Sequence, residues 1–117
     1  SSLITIKAPS ESEKSLSVVF NNNNIKLEEN EFGENEYVVI SKDNPVTISV
    51  TSNTTGIISV VFKAPSKDYN LFYNEILING KPAITIPQEI SFDTPYDYNF
   101  IAKKDKEYII QTDWNKI

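Results

Sequence analysis

The longest run of β-branched and aromatic residues in the chain is residues 56–66, which read GIISVVFKAPS. Such residues favour extended backbone, and the proline near the end of the run cannot donate a hydrogen bond to a neighbouring strand. The run repeats an earlier pattern, because residues 4–10 read ITIKAPS and residues 60–66 read VVFKAPS. A strand that ends at KAPS is therefore predicted twice, and the second copy begins 56 residues after the first.

Short segments with a period of two, separated by turn-forming residues, fill the rest of the chain. The strongest hairpin signal is Asn79-Gly80, because both residue types accept positive φ. No segment shows a helical period, so the sequence predicts an all-β fold, an antiparallel two-sheet β-sandwich of about 8–10 short strands. The predicted strands are 3–7, 16–20, 25–27, 37–41, 46–51, 56–63, 75–78, 83–86, 98–102 and 107–111.

The order of these segments in residues 1–55 is repeated in residues 56–117, which predicts two tandem similar halves. Residues 37–50 match the segment around 98–111 with an offset of 61 residues, and insertions in the second half account for the drift from 56. A half of this size is marginal as an independent unit. We therefore expect one domain, residues 1–117, in which the two halves share a core.

The residue types that are missing exclude several classes of function. The sequence has no Cys, His, Met or Arg, so it lacks the usual zinc ligands, a thiolate nucleophile and a Ser-His-Asp relay. A net charge of −5 argues against a nucleic-acid-binding surface. No run of 18 apolar residues is present, so we expect no membrane insertion.

Catalysis is not expected either. Two acidic residues that flank a cleft can serve as the catalytic residues of a glycosidase. No pattern in the sequence predicts that any two of the 16 acidic residues lie close together. Only three glycines are present, so no glycine-rich loop could hold a phosphate. We predict that the protein is not an enzyme.

Aromatic residues are concentrated after residue 60, and four of them fall in or beside predicted loops: Tyr69, Tyr73, Tyr96 and Trp114. Sugar rings stack on such side chains, while nearby Asn and Asp residues can bond the hydroxyl groups. The four residues are therefore the candidate ligand-binding residues. The alternative is that they pack against the core with their polar ends in water.

An acidic segment at residues 28–36 contains the weak metal-ligand candidates Glu28, Glu31 and Glu34. Calcium prefers oxygen ligands from carboxylates on a loop. The spacing lacks the usual calcium-loop pattern, so a solvated acidic connection is the alternative. No other cofactor is expected.

These observations favour a non-catalytic binding module that is extracellular or at a cell surface, with a cytoplasmic location as the alternative. A carbohydrate ligand is the first hypothesis. The second is a structural spacer or a protein–protein interaction or adhesion domain. Both hypotheses place the chain in a larger multidomain protein.

Overall fold

The structure, a computed structural model, describes the backbone of residues 1–7, 16–20, 25–29, 36–42 and 44–117, and side chains in 1–7, 37–42 and 44–117. None of these residues is helical. The described strands are β1 Ser2–Lys7, β2 Leu16–Phe20, β3 Ile25–Glu29, β4 Glu36–Ser41, β5 Val46–Ser52, β6 Gly56–Lys63, β7 Leu71–Ile78, β8 Lys81–Pro82, β9 Gln88–Ile90, β10 Tyr96–Ala102 and β11 Glu107–Lys116.

The strands form two antiparallel sheets that pack together as a β-sandwich, so the predicted fold class is confirmed. Sheet A has the strand order β10-β6-β1-β4-β3. Sheet B has the order β2-β5-β11-β7-β8, and β9 also pairs with β7. All pairings are antiparallel, which agrees with the turn-rich sequence.

Alternation along each strand selects the side chains that form the core. In β5 and β6, every second residue is buried, while the residues between them are partly or fully exposed. This is the pattern expected for a sheet with one face in the core and the other toward solvent. The buried residues of these two strands are Val46, Ile48, Val50, Ser52, Ile58, Val60 and Phe62.

The strand order is symmetric under exchange of the two halves of the chain. The order β10-β6-β1-β4 in sheet A is reversed when β1 is exchanged with β6 and β4 with β10. The order β2-β5-β11-β7 in sheet B is reversed when β2 is exchanged with β7 and β5 with β11. These are the exchanges that the sequence alignment specifies. The duplication itself stays a prediction.

The register at the centre of sheet A has the same symmetry. With the offset of 56 residues between the KAPS segments, Thr5 corresponds to Val61, and these two residues are paired with each other. The neighbouring pairs, Ile4 with Phe62 and Ile6 with Val60, exchange with each other under the same offset. An approximate two-fold axis therefore passes through the Thr5–Val61 pair.

The symmetry is broken at the edges of the sheets. In the first half, β3 adds to β4 in sheet A, whereas β8 and β9 add to β7 in sheet B. The predicted strand at 83–86 was wrong, because pairing stops at Pro82. The amide of Ala83 donates to the carbonyl of Ile76 at 2.8 Å, and Ala83 and Ile84 are buried without forming a strand.

The turn at Asn79-Gly80 is confirmed. Both residues have positive φ, 51° at Asn79 and 77° at Gly80, and the turn joins Ile78 to Lys81. The Asn79 side chain accepts a 2.7 Å hydrogen bond from the amide of Ile109. The turn therefore also fixes the position of β7 relative to β11.

Replacement of Gly80 tests this turn. A Cβ atom at Gly80 would meet no atom within 4 Å, so the cost of Gly80→Ala arises from backbone conformation alone. We expect Gly80→Ala to lower the free energy of unfolding by about 1 kcal/mol, and Gly80→Asn by less, because Asn tolerates the left-handed region. Urea denaturation measures both, and equal losses in the two variants would contradict the assignment.

Candidate functional site

The four predicted ligand-binding rings occupy two different environments. Tyr73 lies in β7 and Trp114 in β11, and both are buried, with exposures of 0% and 6%. Tyr69 lies in the connection before β7 and Tyr96 begins β10, and both are partly buried against the core. The structure therefore does not bring the four rings together on one exposed surface.

Tyr73 and Trp114 are neighbours inside the sandwich. They are paired across β7 and β11, directly after a bulge at Asp113–Trp114. The ring of Tyr73 also meets that of Phe62 edge-on, with centroids 5.7 Å apart. Neither Tyr73 nor Trp114 presents a ring face to a ligand in solution, so both stabilise the core here.

The backbone of Trp114 is held by Asn44, the residue before the cis Asn44–Pro45 peptide bond. The Asn44 side chain accepts a 3.0 Å hydrogen bond from the Trp114 amide and donates one to the Trp114 carbonyl. One side-chain amide thus takes the place of a strand neighbour at the bulge. Sequence reasoning missed this contact because the two residues are 70 positions apart.

The two partly buried tyrosines use their hydroxyl groups within the fold. The Tyr69 hydroxyl donates to the carbonyl of Ser1 at 2.9 Å, and the Tyr96 hydroxyl donates to the carbonyl of Ala83 at 2.6 Å. The ammonium group of Lys116 lies 4.4 Å from the centroid of the Tyr69 ring. These contacts fix segments that have no strand partner. They do not supply a flat, open platform for a sugar.

Burial raises the pKa of the Tyr73 hydroxyl far above its usual range, and the nearby Ser2 hydroxyl opposes part of that rise. Within the described residues, neither hydroxyl has a hydrogen-bond partner of normal geometry. Burial also raises the pKa of Tyr69, with a smaller contribution from Asp68, and the pKa of Tyr96. The large shift at Tyr73 agrees with the complete burial of its side chain.

The three metal candidates belong to the acidic segment that begins in β3. Glu28 is described only as part of the backbone of β3, and Glu31 and Glu34 lie outside the described residues. In the part of the chain that the structure describes, no group of three acidic residues is arranged to hold a metal ion. Calcium binding by the acidic segment stays a prediction.

An exposed apolar pair on sheet A was not predicted. Ile57 in β6 and Ile101 in β10 are direct cross-strand partners, and they are 58% and 71% exposed. Both lie on the outer face, because their neighbours Ile58 and Phe100 face inward. Strand alternation could have identified them, since Ile57 is out of phase with the buried residues of β6.

The open edge of sheet A lies beside this apolar pair. Among the described residues, strand β10 is the last strand on its side of the sheet and pairs only with β6. It has seven residues, contains no proline and keeps a regular register along its whole length. By contrast, β7 is flanked by the short β8 and β9, and prolines 82 and 87 interrupt that edge. Prolines and short strands protect sheet edges, and β10 has neither feature.

Comparisons with known proteins return no match: no family model, no curated protein and no solved structure is similar to this chain. No helix long and apolar enough to cross a bilayer is present among the described residues. The residues and geometry of the chain itself are therefore the basis for inferring its function.

Two tyrosine variants test the structural roles of the rings. Tyr73→Phe removes a buried hydroxyl without a partner, so we expect the free energy of unfolding to stay the same or to rise by up to about 1 kcal/mol. Tyr96→Phe removes the bond to Ala83, so we expect a loss of about 1 kcal/mol. Urea denaturation of both variants provides the comparison, and a larger loss in Tyr73→Phe would contradict these roles.

Tyr73 also predicts a dependence of stability on alkaline pH. The contribution of the protonated Tyr73 side chain to the free energy of unfolding is fully present below about pH 10, the usual pKa of tyrosine. Above that pH the unfolded chain loses the proton while the folded chain keeps it, so the contribution is lost as the pH rises toward the folded-state pKa. Denaturation midpoints between about pH 8 and about pH 11 should fall less steeply in Tyr73→Phe than in the wild type. Equal slopes would show that Tyr73 ionises normally in the folded protein.

Proposed function

We propose that this chain is a non-catalytic protein-interaction module that binds an extended polypeptide segment along the open edge of β10. The observation that carries this proposal is the exposed Ile57–Ile101 pair beside an unprotected edge strand. An edge strand offers unpaired amide and carbonyl groups to another strand, and pockets or apolar patches beside it add side-chain specificity. This is the protein-interaction alternative of the sequence-based prediction.

The burial of the aromatic residues supports this choice over carbohydrate binding. Tyr73 and Trp114 belong to the core, and the hydroxyls of Tyr69 and Tyr96 hold backbone carbonyls. The Lys116 ammonium group lies over the Tyr69 ring, so a sugar would have to displace it to stack on that face. Carbohydrate binding stays a prediction, and Tyr69 is the ring that tests it best, because it lies beside the exposed Asp68.

A larger surface protein is the context we propose for the module. Its polar, acidic and cysteine-free composition is compatible with an exported β domain, and an adhesion or spacer role fits the same context. Binding through an edge strand needs neither a cofactor nor a deep pocket, because main-chain hydrogen bonds supply much of the affinity. The interaction would thus depend on the position of β10 in sheet A.

Selection from a random-peptide phage library tests the proposal. The wild-type chain, immobilised at low density to keep single copies apart, should enrich peptides with alternating apolar residues. Ile101→Lys should weaken binding of a selected peptide by about tenfold or more, because one apolar contact is replaced by a charge. Ile117→Lys is the matched control, since Ile117 is 61% exposed and follows β11 in the other sheet.

Two outcomes would overturn the proposal. One is that no peptide is enriched, and the other is that the selected peptides bind Ile101→Lys as well as the wild type. Affinity electrophoresis in polysaccharide gels tests the alternative hypothesis, carbohydrate binding. Retardation that Tyr69→Ala abolishes would establish carbohydrate binding instead.

A further inference from the structure

The symmetry of the fold identifies a missing neighbour for β10. Its counterpart in the first half, β4, has β1 on one side and β3 on the other. Strand β10 has β6 on one side and, within the part of the chain that the structure describes, no strand on the other. The position beside β10 that corresponds to β3 is therefore open, because β8 and β9 add to sheet B instead.

Two rings on the inner face of β10 are incompletely covered. Tyr98 and Phe100 point toward the core but are only partly buried, and their counterparts in β4 are Tyr37, which is also partly buried, and Val39, which is fully buried. The two rings stack with centroids 6.4 Å apart, and Phe100 also contacts the ring of Tyr108 at 5.1 Å. A strand added beside β10 would cover the exposed sides of these rings.

The charges along β10 indicate what kind of strand fits. Asp97 lies near the start of the strand, and Lys103 and Lys104 follow its last residue, Ala102. An edge that is acidic at one end and basic at the other is complementary to itself when two copies run antiparallel. We propose that β10 pairs antiparallel with β10 of a second copy of this chain, a partner assignment that rests on the proposed edge-strand function.

One register satisfies both the charges and the apolar residues. The paired β10 strands of two symmetric copies must align residues that face the same side, so the two-fold axis passes through a single residue position. With the axis at Phe100, Asp97 of each copy lies opposite Lys103 of the other. The two Ile101 side chains become diagonal neighbours on the outer face, which is within reach of side-chain contact.

These matches are lost when the two-fold axis is moved by one residue in either direction. With the axis at Asn99, Asp97 lies opposite Ile101 of the second copy. With the axis at Ile101, Asp97 lies opposite position 105, which is in the turn after β10, where Asp105 has positive φ, so Asp97 has no strand partner. Pairing through Phe100 joins two five-stranded sheets into one ten-stranded sheet, and the four isoleucines at positions 57 and 101 form one patch.

Charge reversal tests the pairing and its register together. Sedimentation equilibrium over a concentration series should show a wild-type dimer, and Asp97→Lys or Lys103→Asp alone should weaken dimerisation by about tenfold or more. A mixture of the two single variants should form a heterodimer, because opposite charges then meet at both ends. The double variant D97K/K103D should recover the homodimer. Lys81→Asp, which makes the same charge change at an exposed position in sheet B, is the matched control and should dimerise like the wild type.

A second measurement uses only the wild type, so its result does not depend on whether the variants fold. Amide hydrogen exchange of the wild type should be slower in β10 at high protein concentration than at low concentration, while the exchange of β5 should not change. A wild type that stays monomeric at all concentrations would overturn this inference, as would a dimer that neither charge reversal weakens or a failure of the mixed variants to pair. Peptide selection by immobilised single copies would still decide the proposed function independently.

Discussion

The two sheets depend on contacts between the halves of the chain. Strand β1 pairs with β6 at the centre of sheet A, and β5 pairs with β11 at the centre of sheet B. Each half alone contributes strands to both sheets but cannot form the central pairing of either one. The core is therefore built across the approximate two-fold axis, and the alternation of β5 and β6 determines which side chains enter it.

This arrangement explains why the aromatic residues of the second half are structural. Phe62 near the axis contacts both Tyr73 and Tyr96, so rings from three strands meet in the space between the sheets. The hydroxyl of Tyr96 then reaches the carbonyl of Ala83, in a segment that leaves the sheet after Pro82. Large rings in the core and hydroxyls on irregular backbone are two uses of one residue type, and both depend on its amphipathic character.

Much of the fold could be predicted from the sequence, because strand alternation and turn chemistry are local signals. The turn at Asn79-Gly80 and the two-sheet architecture follow from such signals. The burial of Trp114 was missed because the predicted strand ended at residue 111, whereas in β11 every second residue from Tyr108 to Trp114 is buried. The two bonds from Asn44 to the Trp114 backbone could not be predicted, because Asn44 is remote in sequence. The exposed edge at β10 was also hidden, because the order of strands in a sheet depends on long-range pairing that no local pattern encodes.

The central position of β1 and β5 has a consequence for synthesis of the chain on the ribosome. The inner partner of each strand belongs to the second half, and β11 is the last strand described. While the first half emerges, β1 and β5 each have one open edge, and β-rich segments in this state are prone to wrong pairing. Strand β6, which follows β5 after a short turn, closes the first of these edges, and the second stays open until β11 has left the ribosome. The order of translation thus sets how long the nascent protein is vulnerable to aggregation.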